Sequence, residues 1–272
     1  MRSLAHFRRR QVTPMNVPLH QIMFTPDRDA LPPPAAQEIC SSAGGNPYRM
    51  WFLDDARTLI RDVYGLEVLK AFDILRPFSY KADLARYCIV NHIGGVYMDL
   101  SVNDFLGFEV GDYEFVGFRD PNNMETSWKV ATHMFYSTKE SPILQASISE
   151  CVANVDRRFY GKDPHFPTGP SVLGRAVASH SLEVKVQIGD FWCLKGRRAK
   201  YTLPGQGVIG RGKASGRNLG GVSGVPRGNN YNVMWREGAI YESDQLEHSA
   251  EIAVTPASKA RSGRSTGGDP VT

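Results

Sequence analysis

Cysteine is scarce in this chain. Its four copies lie far apart and form no C-x-x-C pair. A zinc knuckle and a disulfide framework are therefore not indicated, and we expect buried free thiols. Long apolar runs are also missing: no stretch approaches the roughly 18 consecutive apolar residues that a membrane helix needs. The opening, MRSLAHFRRRQ, has the positive charge of a signal peptide, but Pro14 and Pro18 interrupt the region where an apolar core would follow. The sequence thus predicts a cytoplasmic protein without a transmembrane segment and leaves peripheral attachment at the inner membrane open.

Catalytic and metal motifs of the commonest kinds are absent as well. The seven histidines form no H-x-H or H-E-x-x-H pattern, and no G-x-S-x-G sequence is present. A histidine metal site and a serine hydrolase are therefore not indicated. The chain also lacks a large excess of one charge, since 32 Lys and Arg stand against 28 Asp and Glu, a net charge of +4. A dedicated nucleic-acid-binding protein is far more basic, so any basic function must be local.

What is present is a globular composition with alternating elements. Of the 272 residues, 42% are hydrophobic and 22% are charged, which suits a well-filled core. Apolar runs predict strands at residues 19–24, 49–53, 96–100, 114–118, 133–136 and 184–194. Periodicity and end signals predict helices over 80–92, capped by Ser79 and ended by Gly94, over 142–155 and over 168–179. This alternation predicts an α/β fold with a Rossmann-like, mostly parallel sheet and helices on both faces.

Composition divides the chain into three parts. Residues 1–15 and 243–272 lack apolar periodicity, so we expect a disordered basic N-terminus and a disordered tail around one domain over 16–242. From 191 to 236 the chain has nine Lys and Arg residues, no Asp or Glu, and many glycines. We interpret about 196–230 as a mobile, basic, glycine-rich loop that closes over a bound diphosphate. The G-x-G-x-x-G pattern inside it lacks the flanking strand and helix of a dinucleotide site and is set aside.

The most informative segment is residues 79–104, SYKADLARYCIVNHIGGVYMDLSVND. In a helix, Asp83 and Arg86 lie three residues apart and therefore on one face. The Gly-Gly pair then predicts a tight turn into a strand, in which Asp99 and Ser101 share one side at the carboxyl end. Open α/β sheets bind ligands at that end. The arrangement suits a nucleotide-sugar diphosphate with its metal, because carboxylates bind both sugar hydroxyls and hard cations.

At these residues the sequence resembles a known family. ADLARY at 82–87 and GGVYMDL at 94–100 resemble the sugar-binding region of the DXD-containing glycosyltransferases, a group that includes yeast mannosyltransferases, capsule-synthesis enzymes and clostridial glucosylating toxins. Weaker similarities agree in order along the chain: 17–22 resembles the family's first strand, 46–55 its second, and T-G-P at 168–170 a later element. The resemblance covers roughly residues 17 to 180. It implies a GT-A type fold and a retaining hexosyltransferase with a nucleotide-sugar donor.

The resemblance also implies roles for individual residues. Asp83, Arg86 and Asp99 are the implied catalytic residues, of which the first two hold the transferred sugar. Asp99 binds sugar or ribose and, with Ser101, a divalent cation, Mn²⁺ or Mg²⁺. The implied donor-binding residues are His20, Gln21, Met23, Gly95, Tyr97, Ser101, Gly169, Pro170 and Trp235. The implied donor is a UDP- or GDP-sugar, the acceptor is a hydroxyl of a glycan, a lipid-linked glycan or a protein, and the favoured setting is polysaccharide biosynthesis.

Two positions depart from the family pattern. Ser101 replaces the second carboxylate of the D-x-D motif, and Met23 stands where the family commonly has a tryptophan that stacks on the base. Neither a metal requirement nor a base preference therefore carries over. Two other functions stay open: a non-catalytic binder of sugar nucleotides, and a nucleic-acid-binding protein that uses the basic glycine-rich loop on phosphates. Under the glycosyltransferase interpretation no stable nucleic-acid partner is expected.

Overall fold

The computed structural model describes residues 16–25, 30–34, 36, 39, 46–121, 128–193, 198–214 and 229–242. Its strands are β1 (Leu19–Ile22), β2 (Tyr48–Trp51), β3 (Gly95–Met98), β4 (Val102–Phe105), β5 (Phe115–Arg119), β6 (Met134–Ser137), β7 (Val186–Trp192), β8 (Arg198–Leu203) and β9 (Gly207–Ala214). Its helices are α1 (Leu53–Leu59), α2 (Gly65–Ile74), α3 (Phe78–Ile93), α4 (Pro142–Asp156), α5 (Pro170–His180) and α6 (Tyr231–Arg236), with a π-helical turn over Ile60–Tyr64 between α1 and α2.

The six strands and three helices predicted from the sequence are all present, with ends shifted by one or two residues. Helix α3 begins at Phe78 because the backbone of Pro77, directly before the helix, is extended. Ser79, which was predicted to cap the helix, therefore lies in its first turn. The helix ends at Gly94, whose φ of +78° is a conformation that glycine tolerates. Pro142 opens α4, as its fixed φ favours. Within the described residues no helix is both long enough and apolar enough to cross a bilayer.

The strands form one sheet in the order β2-β1-β3-β6-β5-β7-β8-β9-β4. Among the described residues, three neighbouring pairs are parallel (β1–β2, β1–β3 and β5–β7) and five are antiparallel. The predicted α/β class is confirmed, and the sheet is mixed, with antiparallel pairing concentrated towards its β4 end. Connections such as the three residues between β8 and β9 are too short for a parallel crossover, which needs a dozen residues or more.

The sheet is strongly curled. Strands β3 and β4 are consecutive in the chain, yet five other strands lie between them in the sheet. In a flat sheet they would be about 29 Å apart, at roughly 4.8 Å per strand. The link Asp99–Ser101 lets them separate by at most about 15 Å. The sheet therefore bends back on itself and brings β4 towards β3.

The two faces of the sheet are covered differently. Residues such as Tyr87, Ile143 and Val172 from the helices pack on one face with the large apolar side chains of the strands. On the other face, Met98 and neighbouring strand residues pack against Tyr201 and other side chains of β8 and β9. In the described part of the chain, helices α1–α6 thus lie on the first face, and the helical residue Ile39, which precedes β2, packs with Met98 on the second face.

Part of the segment that was expected to be a loop, 196–230, is instead the hairpin of β8 and β9. Its first strand alternates exposed and buried residues, with Ala199, Tyr201 and Leu203 directed inward. That period of two is the signal for a strand, and the abundance of Gly and Lys around it obscured the pattern. The predicted loop is therefore corrected over residues 198–214.

Two cations of the hairpin are already paired within the protein. Arg211 Nη1 lies 2.6 Å from Asp104 Oδ2, and Arg198 Nη2 donates a 2.6 Å hydrogen bond to Asn103 Oδ1. The carboxylate of Asp104 offsets the charge of Arg211, whereas the neutral amide of Asn103 only orients Arg198 and leaves its charge available to a phosphate chain. Residues 1–15, 215–228 and 243–272, for which disorder or mobility is predicted, lie outside the described residues.

Candidate functional site

Helix α3 carries two charged side chains on its buried face. Asp83 and Arg86 are 7% and 4% exposed, and Arg86 Nη2 lies 3.3 Å from Asp83 Oδ1. Arg86 Nη1 also lies 3.3 Å from Asp99 Oδ1, just beyond the end of β3. The structure thus brings the three predicted catalytic residues together. One guanidinium bridges a carboxylate of the helix and a carboxylate of the sheet edge.

Further contacts fix the guanidinium of Arg86. Its Nε donates to the carbonyl oxygen of Ala82 at 3.0 Å, and its Nη1 donates to the carbonyl oxygen of Thr132 at 2.7 Å. The guanidinium carbon lies 4.6 Å from the centre of the Tyr97 ring. Burial acts to lower the pKa of Arg86, but the carboxylate of Asp99 and other nearby groups outweigh it, so the pKa is raised. Arg86 is therefore a permanent cation in this site.

Asp83 is tied to the loop that precedes α5. Thr168 Oγ1 donates a 2.9 Å hydrogen bond to Asp83 Oδ2, and the Tyr87 hydroxyl donates to the carbonyl oxygen of Thr168 at 2.9 Å. Burial raises the pKa of Asp83, while Arg86 and the Thr168 hydroxyl act in the opposite direction. The T-G-P sequence therefore contributes to the cluster through its threonine.

Asp99 is the carboxylate of the cluster that reaches solvent. The Tyr97 hydroxyl donates to its Oδ1 at 2.7 Å, and 33% of its side chain is exposed. Its backbone N–H donates to the carbonyl oxygen of His133 at 2.8 Å, and its carbonyl oxygen accepts from Val102 N–H at 2.9 Å. Asp99 is thus held at both main-chain groups while its carboxylate faces the sheet edge where ligands bind.

His20, a predicted donor-binding residue, is committed to the protein interior. Its Nε2 lies 3.0 Å from the carbonyl oxygen of Gly94, and Trp51 Nε1 donates to its Nδ1 at 3.2 Å. The proton therefore sits on Nε2, since Nδ1 accepts. Burial lowers the pKa of His20 to about 4, so the ring is neutral at pH 7. Nε2 therefore supports the turn into β3, and Nδ1 holds the indole of Trp51 at the end of β2.

Gln21 and Met23 are buried next to the cluster, at the carboxyl end of β1. Gln21 Nε2 donates to the carbonyl oxygen of Asp99 at 3.3 Å, and its Oε1 accepts from the Tyr48 hydroxyl at 2.8 Å. Met23 follows the strand, and its N–H donates to the carbonyl oxygen of Trp51 at 2.9 Å. The amide of Gln21 thereby connects β2 to the backbone that carries the acidic motif.

A larger residue would not fit at Gly95 and would be tightly packed at Gly169. Gly95 has φ of +110°, and a Cβ there would collide with the carbonyl oxygen of Pro18 in the neighbouring strand segment. A Cβ on Gly169 would lie 3.2 Å from Asp83 Oδ2. Pro170 is the first residue of α5. The two glycines therefore allow the close approach of β1 to β3 and of the T-G-P loop to α3.

Helix α6 carries two aromatic side chains near the cluster. Trp235, a predicted donor-binding residue, donates from its Nε1 to the carbonyl oxygen of Tyr160 at 2.8 Å and so anchors the helix. Four residues earlier, the ring centre of Tyr231 lies 5.9 Å from that of Tyr80 on α3, and burial together with the nearby carboxylates of Asp83 and Asp99 raises the pKa of Tyr231. The sequence signal for Tyr231 was only its aromatic character.

The residues available for a cation are few. Ser101 lies in the turn after β3, and Gly212 of β9 packs so closely on its carbonyl oxygen that a Cβ there would be 3.2 Å away. Across the described ranges, no group of three or more His, Cys, Asp or Glu side chains converges on one point. Mg²⁺ is nevertheless often held by one or two carboxylates together with substrate phosphates. Asp99 and Ser101 fit a cation shared with a bound diphosphate, but do not form a complete cage.

Comparison with known proteins places this cluster in a recognised sequence region. Residues 27–103 match the model of the glycosyltransferase sugar-binding region containing DXD motif. The matched sugar-binding region includes α3, β3 and the motif at Asp99, which confirms the resemblance stated from the sequence. No curated protein matches the chain at a significant level.

Two solved structures are similar to the chain at low identity. One is described as "PaToxG Glycosyltransferase", with 12% identity and a TM-score of 0.45, covering 61% of this chain and 69% of that one. The other is the "UDP-bound glycosyltransferase domain from the YGT toxin", with 10% identity and a TM-score of 0.36, covering 56% of this chain and 54% of that one.

Proposed function

We propose that this chain is a retaining glycosyltransferase of GT-A type, which moves a hexose from a UDP- or GDP-sugar to a hydroxyl of a glycan, a lipid-linked glycan or a protein. The observation that carries the proposal is the cluster of Asp83, Arg86 and Asp99 at the carboxyl end of β3. Its charges are oriented before a ligand arrives, so binding requires little reorganisation. The cluster also lies inside the matched sugar-binding region.

In this proposal the two carboxylates accept hydrogen bonds from sugar hydroxyls. Asp99 is partly exposed and meets the ligand directly, whereas the buried Asp83 is reached by a hydroxyl that enters the site. Arg86 lies 3.3 Å from an oxygen of each carboxylate, and hydrogen bonds to a charged acceptor are roughly twice as strong as neutral ones. The cluster therefore orients the sugar ring relative to the sheet edge.

The transfer step breaks the bond between the hexose C1 and a diphosphate oxygen. The acceptor oxygen bonds to C1, the departing diphosphate takes the electron pair of the broken bond, and the proton of the acceptor hydroxyl passes to the departing diphosphate oxygen. A bound Mn²⁺ or Mg²⁺ ion supplies positive charge for that group. Asp99 and Ser101 would hold the ion together with the donor's phosphates. Because Ser101 offers a neutral oxygen, we expect weak binding of the ion in the absence of donor.

The proposal is tested by measuring thermal stabilisation and donor turnover with UDP- and GDP-hexoses, each with and without Mn²⁺. A donor present at one hundred times its dissociation constant should stabilise the folded chain by about 2.7 kcal/mol. Asp99→Ala should abolish this effect. Asp112→Ala is the matched control, because Asp112 is an exposed carboxylate paired with Lys185 on the surface.

Other results of the stabilisation and turnover measurements would indicate one of the two alternative functions. Stabilisation by sugar nucleotides without turnover of any of them indicates a non-catalytic binder. Stabilisation by a single-stranded oligonucleotide, with none from any sugar nucleotide, indicates phosphate binding by the basic hairpin of β8 and β9 and contradicts the proposal.

A further inference from the structure

Three aromatic rings stand together beside the carboxylate cluster. The ring centre of Tyr231 is 5.9 Å from that of Tyr80 and 6.4 Å from that of His165. Tyr80 is buried on α3, and His165 lies in the loop before α5 with 44% of its side chain exposed. We call Tyr80, Tyr231 and His165 the aromatic wall, and Tyr231 is the ring that contacts both of the others.

Tyr231 is held in place from both ends of α6. At the start, Asn229 Oδ1 accepts a 2.7 Å hydrogen bond from the N–H of Phe78, the first residue of α3. The Asn230 side chain caps α6 by accepting from two of its backbone N–H groups. At the far end, the indole of Trp235 donates to the loop before α5. Tyr231 is therefore fixed relative to the helix that carries the catalytic pair.

The aromatic wall lies beside two carboxylates. Tyr80, whose ring contacts Tyr231, precedes Asp83 by three residues on α3, and a Cβ on Gly169 would lie 3.2 Å from Asp83 Oδ2 and 3.4 Å from the carbonyl oxygen of His165. The N–H of His165 donates to Asp163 Oδ1 at 2.8 Å. Burial raises the pKa of Tyr231, and the carboxylates raise it further. Tyr231 therefore lies on the side of α3 that carries Asp83.

We propose that Tyr231 binds the transferred sugar by stacking on the apolar face of its ring, while Asp83 and Asp99 accept hydrogen bonds from its hydroxyls. This inference rests on the proposed function and adds a residue to it. A hexose presents C–H groups on its faces and hydroxyls around its rim, so its site needs an apolar surface and nearby acceptors. Tyr231 therefore contributes to affinity for the sugar and not for the nucleoside diphosphate.

The test compares two ligands on the same protein. Dissociation constants are measured for UDP and UDP-glucose, and for GDP and GDP-mannose, with the wild type and with Tyr231→Leu. We expect the ratio of the sugar nucleotide's constant to that of its nucleoside diphosphate to rise about tenfold in Tyr231→Leu. Tyr231→Phe keeps the ring and should leave the ratio unchanged.

Two controls separate stacking from loss of structure. Tyr113→Leu removes a half-buried tyrosine that packs against the other face of the sheet, and the ratio should stay at its wild-type value. Saturation-transfer NMR on the wild type gives a readout that needs no variant: irradiating the aromatic protons should transfer saturation to the hexose C–H protons.

The results of these measurements distinguish failure of the proposed function from failure of the role proposed for Tyr231. Wild-type protein that binds neither a sugar nucleotide nor its diphosphate overturns the proposed function itself. Wild-type binding with an unchanged ratio in Tyr231→Leu, or with no transfer to hexose protons, overturns the role of Tyr231 and leaves the proposed function standing.

Discussion

Replacing Arg86 with Met removes the only side chain seen to bridge Asp83 and Asp99 within the described residues. The change leaves a buried carboxylate at Asp83 without its cation, and it leaves the carbonyl oxygen of Thr132 without its 2.7 Å donor. Removing one partner of a buried ion pair costs about 3–5 kcal/mol. Asp99 adds little to that figure, because a third of its side chain faces solvent. We therefore expect Arg86→Met to lower the free energy of unfolding by about 3–5 kcal/mol.

The double variant Asp83→Asn/Arg86→Met separates the charge effect from lost packing. The asparagine amide carries no charge, so the double variant should be more stable than Arg86→Met by roughly 1–3 kcal/mol. Urea unfolding followed by circular dichroism measures both quantities. A double variant no more stable than Arg86→Met would show that the buried charge of Asp83 is not what Arg86 compensates, and the account of the cluster would fail.

Three further predictions concern the same region. Asp99→Ala should lower donor turnover about a hundredfold while the protein stays folded, and undiminished turnover would remove the motif from the mechanism. Ser101→Asp adds a carboxylate two residues from Asp99 in the turn between β3 and β4, so titration should show tighter Mn²⁺ binding, and equal affinity would mean that Ser101 does not face the ion. His20 titrates near 6.5 when unfolded and at about 4 when folded. The unfolded chain therefore binds the extra proton as the pH falls through this window. His20 should account for a loss of roughly 3 kcal/mol of stability between pH 6.5 and 4, and its replacement should remove that part of the loss while the similarly lowered pKa of His133 keeps its own share.

The sequence predicted the elements of the fold better than their pairing. Glycine after α3 and proline at the start of α4 are local signals, and both helices end or begin where those residues stand. Which strands become neighbours depends on long-range packing that no local pattern records. The strand that follows Ser101 crosses to the far edge of the sheet and pairs with β9, and only the three-dimensional structure shows this.

The residues of the candidate site likewise divide into those that the sequence predicted and those that it did not. Asp83, Arg86 and Asp99 were found because spacing on a helix and position at a strand end are readable from the sequence. Thr132 could not be found, because it acts through its carbonyl oxygen, which every residue has. Tyr231 was missed because it approaches the cluster from a helix far beyond Asp99 in the chain, and Trp235 was singled out for its position just after the glycine-rich segment.

The short link between β3 and β4 restricts where residues can be inserted into the chain or deleted from it. Its three residues both carry the acidic motif and close the curl of the sheet, over a span of at most about 15 Å. A deletion there would draw β4 away from β9, and the position of Asp99 would move with it. The turn Pro204–Gln206 is less constrained, because it joins two adjacent antiparallel strands and its further tie is the pair of hydrogen bonds between the Gln206 side chain and the backbone of Glu109. Insertions accumulated by descendants of this chain should therefore fall in that turn, while the spacing from β3 to β4 is preserved by geometry even where the chemistry of the motif is relaxed.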